Sequence, residues 1–205
     1  MAAPVLDFWF DFASTYSYLA ANRIRALATL ANVQVRFRPF LLGPIFKAQG
    51  WDTSPFNLYA AKGQYMWRDM ERLAADLVLP FRRPDPFPQN SLLAARVAVF
   101  GLTPENNQGW GEDFCLAVFR AQFADGARID DPATLAAILS RLGALPDAVL
   151  ATSQSDTNKL RLREQTEAAQ RLGLFGAPSF TTAGGELFWG NDRLEQALAW
   201  AKRAG

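Results

Sequence analysis

The sequence predicts an α/β fold that is interrupted by an all-helical segment, and three patterns along its 205 residues support this class. The chain opens with a strand, a helix and a second strand. About a hundred residues with helical periodicity follow, and the chain then returns to a helix, a β-hairpin and a last helix. Half of the residues are apolar, which is enough to bury a hydrophobic core.

The first forty residues predict a parallel βαβ unit. Val5–Phe12 is rich in β-branched and aromatic residues, which is typical of a buried strand. Ser14 stands where a helix N-cap belongs, and apolar residues then recur at helical spacing within Tyr18–Leu30. Val33–Phe37 alternates as a second strand, and Pro39 blocks its extension at a central position. The intervening helix is long enough to make the two strands parallel.

The middle of the chain predicts a loop and then a helical region. Leu41–Trp51 contains glycine and proline and predicts a loop, which a turn at Thr53–Pro55 follows. From Asn57 to about Pro146, apolar stripes recur at helical spacing. Only a weak strand signal near Phe81 interrupts this pattern.

The C-terminal part predicts a helix, a β-hairpin and a final helix. A polar helix over Thr157–Leu172 ends at Gly173, a residue type suited to a left-handed C-cap. The hairpin strands are predicted at Ala177–Thr182 and Glu186–Trp189, joined by a two-glycine turn. An amphipathic helix is predicted over Asp192–Lys202.

This order of elements is that of the thioredoxin fold with helices added after its βαβ half. The sequence therefore predicts a discontinuous thioredoxin-like domain over residues 1–43 and 157–205. Residues 44–156 are predicted to form an inserted helical domain.

Composition excludes several classes of function. The 21 Lys and Arg residues balance 20 Asp and Glu residues, so we expect no nucleic-acid partner. Without histidine, and with Cys115 as its one thiol, the chain cannot build a Ser-His-Asp triad, a Cys-His dyad, an internal disulfide or a usual zinc site. Cys115 lies on an apolar helical stripe, which predicts an inert core residue.

The sequence also carries no sign of a membrane location. No window approaches the roughly 20 uncharged apolar residues that a membrane span requires. The apolar N-terminal residues include two aspartates and lack a basic opening, so they do not resemble a secretory leader. A lone thiol fits a reducing compartment. We therefore expect a soluble, cytoplasmic protein.

The position of Ser14 points to a site that holds an anion. In the thioredoxin fold the reactive group lies at the N-terminus of the first helix, where free amides and the helix dipole stabilise negative charge. A serine hydroxyl without a histidine is a poor nucleophile at neutral pH. The site thus suits a thiolate that the chain does not supply. The second feature is Ala177–Pro178 at the start of the hairpin, where the fold places a cis proline facing the first helix.

Three motifs carry a resemblance to a known family: DFASTYSYLA at residues 11–20, LFGAPSF at 174–180 and FWGNDRLE at 188–195. In this order and spacing the chain resembles the 2-hydroxychromene-2-carboxylate isomerases. That group depends on glutathione and is related to kappa-class glutathione transferases and to disulfide oxidoreductases of the thioredoxin superfamily. The resemblance covers nearly the whole chain and implies glutathione as the source of the missing thiol. It also implies a homodimer.

The resemblance implies a role for each residue that matches the family's glutathione site. Ser14 would donate its hydroxyl to the glutathione sulfur and help to keep it ionised. Ala177–Pro178 would pair the Ala177 backbone with the cysteinyl part of glutathione. Asn191 and Asp192 would hold the γ-glutamyl end, with the Asp192 carboxylate meeting its ammonium group. Asn57 matches an asparagine that also contacts glutathione.

Two further matches concern an aromatic carboxylate substrate. Lys47 would anchor the carboxylate of a chromene or a benzylidenepyruvate, and Asn90 matches a position that lines the same substrate. One departure is visible, since this chain has Thr15 where the family commonly has proline after the serine. A proline there only presets the first helical turn, so we expect little change in the chemistry.

Each of these residues also has an interpretation without function. Ser14 is a suitable N-cap, and Asp192 with Glu195 forms a near-standard capping pair. Lys47 is predicted in a loop, where most lysines are solvated, and Pro178 is compatible with a trans strand opening. Two residues that flank helix starts are also compatible with capping: Asn57 and Asn90.

The implied reaction is the cis/trans isomerisation of 2-hydroxychromene-2-carboxylate or a related intermediate of aromatic degradation. The glutathione thiolate would add to the conjugated system, allow rotation about the former double bond, and leave. Two alternatives remain open at this point: a kappa-like transferase that consumes glutathione, and a glutathione-binding protein without catalysis. A disulfide oxidoreductase is disfavoured, because that reaction needs a cysteine where this chain has Ser14.

Overall fold

A four-stranded mixed sheet forms the centre of the molecule. The computed structural model describes residues 3–104 and 108–203. In these residues the strands run in the order β2-β1-β3-β4. Strand β1 pairs in parallel with β2 and antiparallel with β3, which in turn pairs antiparallel with β4. The strands are β1 Val5–Phe10, β2 Gln34–Pro39, β3 Ser179–Thr182 and β4 Leu187–Trp189.

Helices cover most of the remaining described chain. Helix α1 joins β1 to β2, helices α2 to α9 lie between β2 and β3, and α10 follows β4 after a 3₁₀ turn over Asn191–Arg193. This order confirms the predicted α/β, thioredoxin-like fold with added helices. The helices are α1 Thr15–Ala31, α2 Leu42–Ala48, α3 Pro55–Leu58, α4 Ala60–Asp76, α5 Leu92–Leu102, α6 Gly111–Phe123, α7 Pro132–Arg141, α8 Pro146–Ser153, α9 Asp156–Arg171 and α10 Leu194–Arg203.

The predicted loop over Leu41–Trp51 is wrong, because most of it is helix α2. Gly43 and Pro44 fall in the first turn of this helix, where a backbone N–H has no intrahelical partner and proline is tolerated. The first helical amide, that of Leu42, donates instead to the Asp11 side chain at 2.8 Å. Proline and glycine therefore mark a helix start here.

Other parts of the sequence prediction also differ from the structure. Strand β1 ends at Phe10, two residues early, because the chain turns at Asp11. The weak strand signal near Phe81 corresponds to no strand; that segment contains four prolines, which cannot donate to a sheet. The last helix begins as a 3₁₀ turn, and Asp192 makes no side-chain capping bond there.

The core joins the sheet to the added helices without a break. The core contains Phe8 and Phe10 of β1 and Phe12, which follows that strand. All three are fully buried together with Phe119 of α6. The ring centroids of Phe10 and Phe119 lie 5.5 Å apart, and those of Phe12 and Phe119 lie 5.0 Å apart. Replacing such a buried phenylalanine by alanine costs about 3–5 kcal/mol. Met66 and Met70 of α4, a helix that lines the cleft, belong to the same core. The division at residues 43 and 157 stays a prediction.

The register of the sheet sets the position of the site. Trp9 of β1 lies opposite Ser179, the first residue of β3. Because the two strands are antiparallel, the end of β1 and the start of β3 meet at one edge of the sheet. Helix α1 starts just after β1, so its N-terminus faces the segment that precedes β3.

Candidate active site

A cleft of about 1120 Å³ opens where the N-terminus of α1 meets the segment before β3. Its other walls come from α2, from the chain leading into α4 and from the segment before α5. The residues around it are mostly apolar, with a few convergent polar groups, as is usual for a small-molecule site. The polar residues that line it include Asp11, Ser14, Asn90, Asn191 and Asp192.

Ser14 is the N-cap of α1 and lies at the base of the cleft. Its backbone is extended, and its Oγ accepts from the Ser17 amide at 3.2 Å. The same hydroxyl donates to the main-chain oxygen of Ala177 at 2.9 Å, and the residue is only 9% exposed. One hydroxyl thus caps the helix and links it to the opposite wall. Because a hydroxyl proton can rotate, it can turn to an anion bound at the helix N-terminus.

The segment before β3 presents backbone groups to Ser14. The Ala177–Pro178 peptide bond is cis, which confirms the sequence prediction. The oxygen of Pro178 accepts from the Gly190 amide at 3.0 Å, which ties this segment to the end of β4. Within the described chain, the Ala177 N–H meets no acceptor although its residue lines the cleft. Ala177 therefore offers an open backbone donor beside Ser14.

Aromatic rings cover the outer side of this segment. The Phe175 and Trp189 ring centroids lie 4.9 Å apart, and about half of the Trp189 surface is exposed. A Cβ atom on Gly176 would lie 2.5 Å from the Trp189 indole nitrogen, so the indole packs directly over that glycine. The pair gives the cleft an aromatic rim next to Ala177.

Asn191 and Asp192 follow β4 and line the same side of the cleft. Asn191 is buried, and its Oδ1 accepts from the Arg23 guanidinium of α1 at 3.0 Å. Asp192 is largely exposed, with its Oδ2 lying 3.4 Å from the Arg193 guanidinium. Gly190 has a φ of +112°, and a Cβ there would lie 2.5 Å from Asp192 Oδ1. A glycine is therefore required for the Asp192 carboxylate to lie close to the backbone.

Asp11 is a functional candidate that the sequence analysis did not select. It is 4% exposed; Oδ1 accepts from the Ala13 amide at 2.9 Å and Oδ2 from the Leu42 amide at 2.8 Å. Burial raises the pKa of this carboxyl above its usual value. The two amide hydrogen bonds and a hydrogen bond with Ser91 lower the pKa, but the effect of burial is larger. An aspartate at the end of an apolar strand, three residues before a capping serine, was the available signal.

Tyr16 and Asp69 form a second polar pair in the cleft wall. The Tyr16 hydroxyl donates to Asp69 Oδ2 at 2.9 Å, and Arg72 lies 3.6 Å from the other carboxylate oxygen. Burial, reinforced by the Asp69 carboxylate, raises the pKa of the Tyr16 phenol well above its usual value. Tyr16 therefore stays protonated at neutral pH and bridges α1 to α4.

The cationic residues that line the described cleft differ from the predicted substrate anchor, Lys47, whose role stays a prediction. Lys47 lies exposed near the end of α2, and the described residues that line the cleft do not include it. Lys62 of α4 and Arg193 do line the cleft. The Lys62 ammonium is exposed and lies 5.4 Å from the centroid of the Tyr59 ring. The helical structure of residues 42–48 decides this placement of Lys47.

The two predicted asparagines have different surroundings. Asn90 lines the cleft, and its Oδ1 accepts from the amide of Leu92, the first residue of α5, at 2.9 Å. Asn57 is exposed in α3, and its amide nitrogen donates to Thr53 Oγ1 at 3.3 Å. Asn57 is not among the described residues that line the cleft.

Cys115 lies away from the cleft in the core formed with α6. It is fully buried, and burial raises the pKa of its thiol well above the usual value, so the thiol stays protonated. Over residues 3–104 and 108–203, no cluster of three or more acidic, cysteine or histidine side chains is arranged to hold a metal ion. Within the same ranges, no helix has both the length and the apolar character needed to span a membrane.

Comparisons with known proteins find similarity along nearly the whole chain. A family model described as DSBA-like thioredoxin domain matches residues 5–199. A 2-hydroxychromene-2-carboxylate isomerase of Pseudomonas sp. (strain C18) is 31% identical over 191 residues, covering 93% of this chain and 86% of that protein. Glutathione S-transferase kappa 1 of Homo sapiens is 27% identical over 203 residues, covering 93% and 87%. A solved structure of 2-hydroxychromene-2-carboxylate isomerase, 27% identical, has a TM-score of 0.84 and covers 98% of this chain and 95% of that one.

Proposed function

The chain belongs to the DSBA-like thioredoxin domain family and, within it, to the 2-hydroxychromene-2-carboxylate isomerases, and on that basis we propose that it isomerises this chromene or a related aromatic carboxylate with glutathione as its cofactor. The protein is an isomerase. Glutathione dependence and the substrate are the parts that we propose.

The observation that carries the proposal is the pairing of Ser14 with Ala177 across the base of the cleft. A hydroxyl at a helix N-terminus lies 2.9 Å from the oxygen of a residue whose N–H is open. Such a site favours an anion next to an extended peptide segment. The chain places no thiol there, since Cys115 is buried in the core. A thiol-bearing peptide such as glutathione has the chemistry that this site lacks.

The residues at the base of the cleft fit glutathione on chemical grounds. Ala177 offers a backbone N–H for the cysteinyl part, as an added strand does at a sheet edge. Asp192 offers a carboxylate for the γ-glutamyl ammonium, and Asn191 offers an amide for the neighbouring carboxylate. These groups line one continuous side of the cleft with Ser14.

Each group of the chain then has a defined task. The Ser14 hydroxyl donates to the sulfur, and the free amides of the first turn of α1 stabilise its negative charge. Tyr16 stays protonated and is held by Asp69, which keeps its ring against the cleft. When bound, glutathione supplies a thiolate that adds reversibly to the substrate's conjugated double bond. No acid/base pair of histidines is required, which suits a chain without histidine.

The substrate's carboxylate needs a cation in the cleft. Lys62 and Arg193 line the cleft, whereas Lys47 is not among the described residues that line it. We therefore propose Lys62 as the anchor of the aromatic carboxylate, with Asn90 lining the same region. The aromatic residues Phe175 and Trp189 provide an apolar rim for the ring system.

A spectrophotometric assay tests the proposal directly. The purified protein is mixed with 2-hydroxychromene-2-carboxylate at rising glutathione concentrations, and the approach to equilibrium is followed by absorbance. We expect turnover that requires glutathione but does not consume it, so that substoichiometric glutathione supports complete conversion. Equal rates with and without glutathione would contradict the proposed cofactor.

A kappa-like transferase is the second candidate, and one finding favours it. The kappa 1 transferase of Homo sapiens covers 93% of this chain, the same share as the isomerase of Pseudomonas sp. (strain C18). A transferase would use the same residues but consume one glutathione for each electrophile conjugated. Loss of free thiol in proportion to product would favour this alternative, while tight glutathione binding without any turnover would favour a binding protein.

We further propose that the protein acts as a homodimer in the cytoplasm. Light scattering on the purified protein tests the first point, with twice the monomer mass as the expected result. Fractionation of cells that produce the protein tests the second, with recovery in the cytosolic fraction expected.

A further inference from the structure

The guanidinium of Arg23, a residue of α1, contacts Asn191 at the edge of the cleft. One guanidinium nitrogen, Nη1, donates to Asn191 Oδ1 at 3.0 Å and to the Asn191 main-chain oxygen at 3.4 Å. The other terminal nitrogen, Nη2, pairs with the Glu195 carboxylate of α10. The arginine therefore joins α1, the 3₁₀ turn and α10 at the edge of the cleft. Arg23 itself is not among the described residues that line the cleft.

The chemistry of arginine determines which way the Asn191 amide points. A guanidinium carries five N–H donors and no acceptor, so only the amide oxygen of Asn191 is compatible with it. The amide NH₂ group must then point away from Arg23. Asn191 is buried, lines the cleft, and within the described chain its Nδ2 donates to no acceptor. The NH₂ group is thus the part of the amide that is left for a ligand.

We propose that Arg23 is a positioning residue that orients Asn191 and thereby selects thiols with a γ-glutamyl end. This rests on the proposed glutathione dependence. The oriented NH₂ group donates to a carboxylate, and the Asp192 carboxylate beside it accepts from an ammonium group. A donor and an acceptor in adjacent positions match the amino-acid zwitterion at the γ-glutamyl end. A thiol that lacks this end has nothing for either group to bind.

Two variants of Arg23 and one control separate this role from a structural one. Arg23→Met removes every donor, so the Asn191 amide is free to turn. Arg23→Lys keeps a group that only donates, so the orientation is retained. Arg25→Met is the matched control, because Arg25 lies on the same helix and pairs with Glu112 and Asp113 of α6. Thermal unfolding of each variant confirms that it is folded before the assay.

Kinetics with two thiols give the first readout. In Arg23→Met we expect the KM for glutathione to rise about tenfold, because one hydrogen bond to a carboxylate is lost. The kcat should stay within about twofold of the unmodified protein. The rate that cysteinylglycine supports should not change, since that thiol lacks the γ-glutamyl end. Arg23→Lys should recover most of the affinity, and Arg25→Met should match the unmodified protein. An equal loss with both thiols, or an unchanged KM in Arg23→Met, overturns the inference.

The side-chain amide resonances of Asn191 give a readout that does not need turnover. In the free protein and in Arg23→Lys we expect one sharp NH₂ pair, and in Arg23→Met a shifted or doubled pair. Glutathione should move these resonances in the unmodified protein. If glutathione binds nowhere while the resonances of the free protein still depend on Arg23, the proposed function fails and the amide orientation stands. If the resonances ignore Arg23, the inference fails whatever glutathione does.

Discussion

The two walls of the cleft are built in different ways. The wall formed by Ser14, Ala177 and Asn191 is buried or half-buried, and its side chains are tied to neighbouring elements by hydrogen bonds. The wall formed by α2, α3 and α4 presents exposed groups, including Tyr65 and Lys62. A rigid wall preserves the geometry of a reacting group, whereas an exposed wall can vary with the substrate. We therefore expect changes in the first wall to lower turnover and changes in the second to alter substrate affinity.

The largest expected effect separates the catalytic role of Ser14 from its capping role. Ser14→Ala should lower kcat about 100-fold, because a donor to the sulfur is lost. Stability should fall by only about 1 kcal/mol, the usual cost of an N-cap. The readouts are the chromene assay and chemical denaturation.

Ser155 provides the control for this change. It is the N-cap of α9 and accepts from the Asn158 amide at 3.3 Å, much as Ser14 accepts from Ser17, but it lies outside the described cleft lining. Ser155→Ala should lose a similar amount of stability and keep its turnover. If both variants kept full activity, Ser14 would be only a cap.

The second expected effect concerns the exposed wall. Lys62→Ala should raise the KM for the aromatic carboxylate about tenfold with kcat nearly unchanged, since a charge-assisted hydrogen bond is lost. Lys47→Ala, made in parallel, compares the position that the structure favours with the one that the family resemblance implied. Initial rates over a range of substrate concentrations decide between them. A larger effect of Lys47→Ala would restore the role that the resemblance assigned to it.

The third effect concerns Asp11, which contacts both walls through the Ala13 and Leu42 amides. Burial raises the pKa of its carboxyl above the value of 3.8, so the folded protein holds this proton more tightly than the unfolded chain. Stability from this group is therefore present at low pH and is lost as the pH rises from about 4 through the folded pKa. Asn does not titrate, so Asp11→Asn should lack this decline.

Denaturation of both proteins across that pH range measures the effect of Asp11. Other titrating groups are common to the two proteins, so their contributions largely cancel in the difference between the free energies of unfolding. We expect the advantage of the unmodified protein over Asp11→Asn to be largest at acidic pH and to shrink as pH rises. A difference that is constant with pH would contradict a raised pKa for Asp11.

The smallest expected effect on activity is that of Cys115, which lies in neither wall. Cys115→Ala should keep kcat within about twofold and lose about 1 kcal/mol of stability, because a buried sulfur is removed from the core. In the folded protein this thiol should resist alkylation, since burial raises its pKa and keeps it protonated. Mass spectrometry after treatment with a thiol reagent measures this. Rapid labelling at neutral pH would show that the core around α6 opens.

The rigid wall could be predicted from sequence largely because its features are local or set by the order of elements. Ser14 precedes a clear apolar helical pattern, so its position as N-cap of α1 is a matter of a few neighbouring residues. The cis bond at Ala177–Pro178 followed from the place of this dipeptide in the fold. Strand order then brought the two segments together without any need to know side-chain packing.

The exposed wall could not be predicted in the same way. Gly43 and Pro44 indicated a loop, but the Asp11 carboxylate, which is distant in sequence, binds the first amide of α2 and the helix forms. That helix carries Lys47 outside the cleft lining, while Lys62 reaches it from α4. Which of two exposed lysines enters a cleft depends on how helices pack, and periodicity alone carries no information about that.

By itself, then, the sequence determined the α/β class, the order of elements and the position of Ser14 at the helix N-terminus, because these depend on local pattern. Its composition determined that the chain has no histidine and no available thiol. Only the tertiary structure decided that Asp11 joins the two walls, that Lys62 faces the cleft, and that Arg23 orients the Asn191 amide. Each of these contacts joins segments far apart in the chain. Their geometry is set by the packing of the shared core, which no local pattern records.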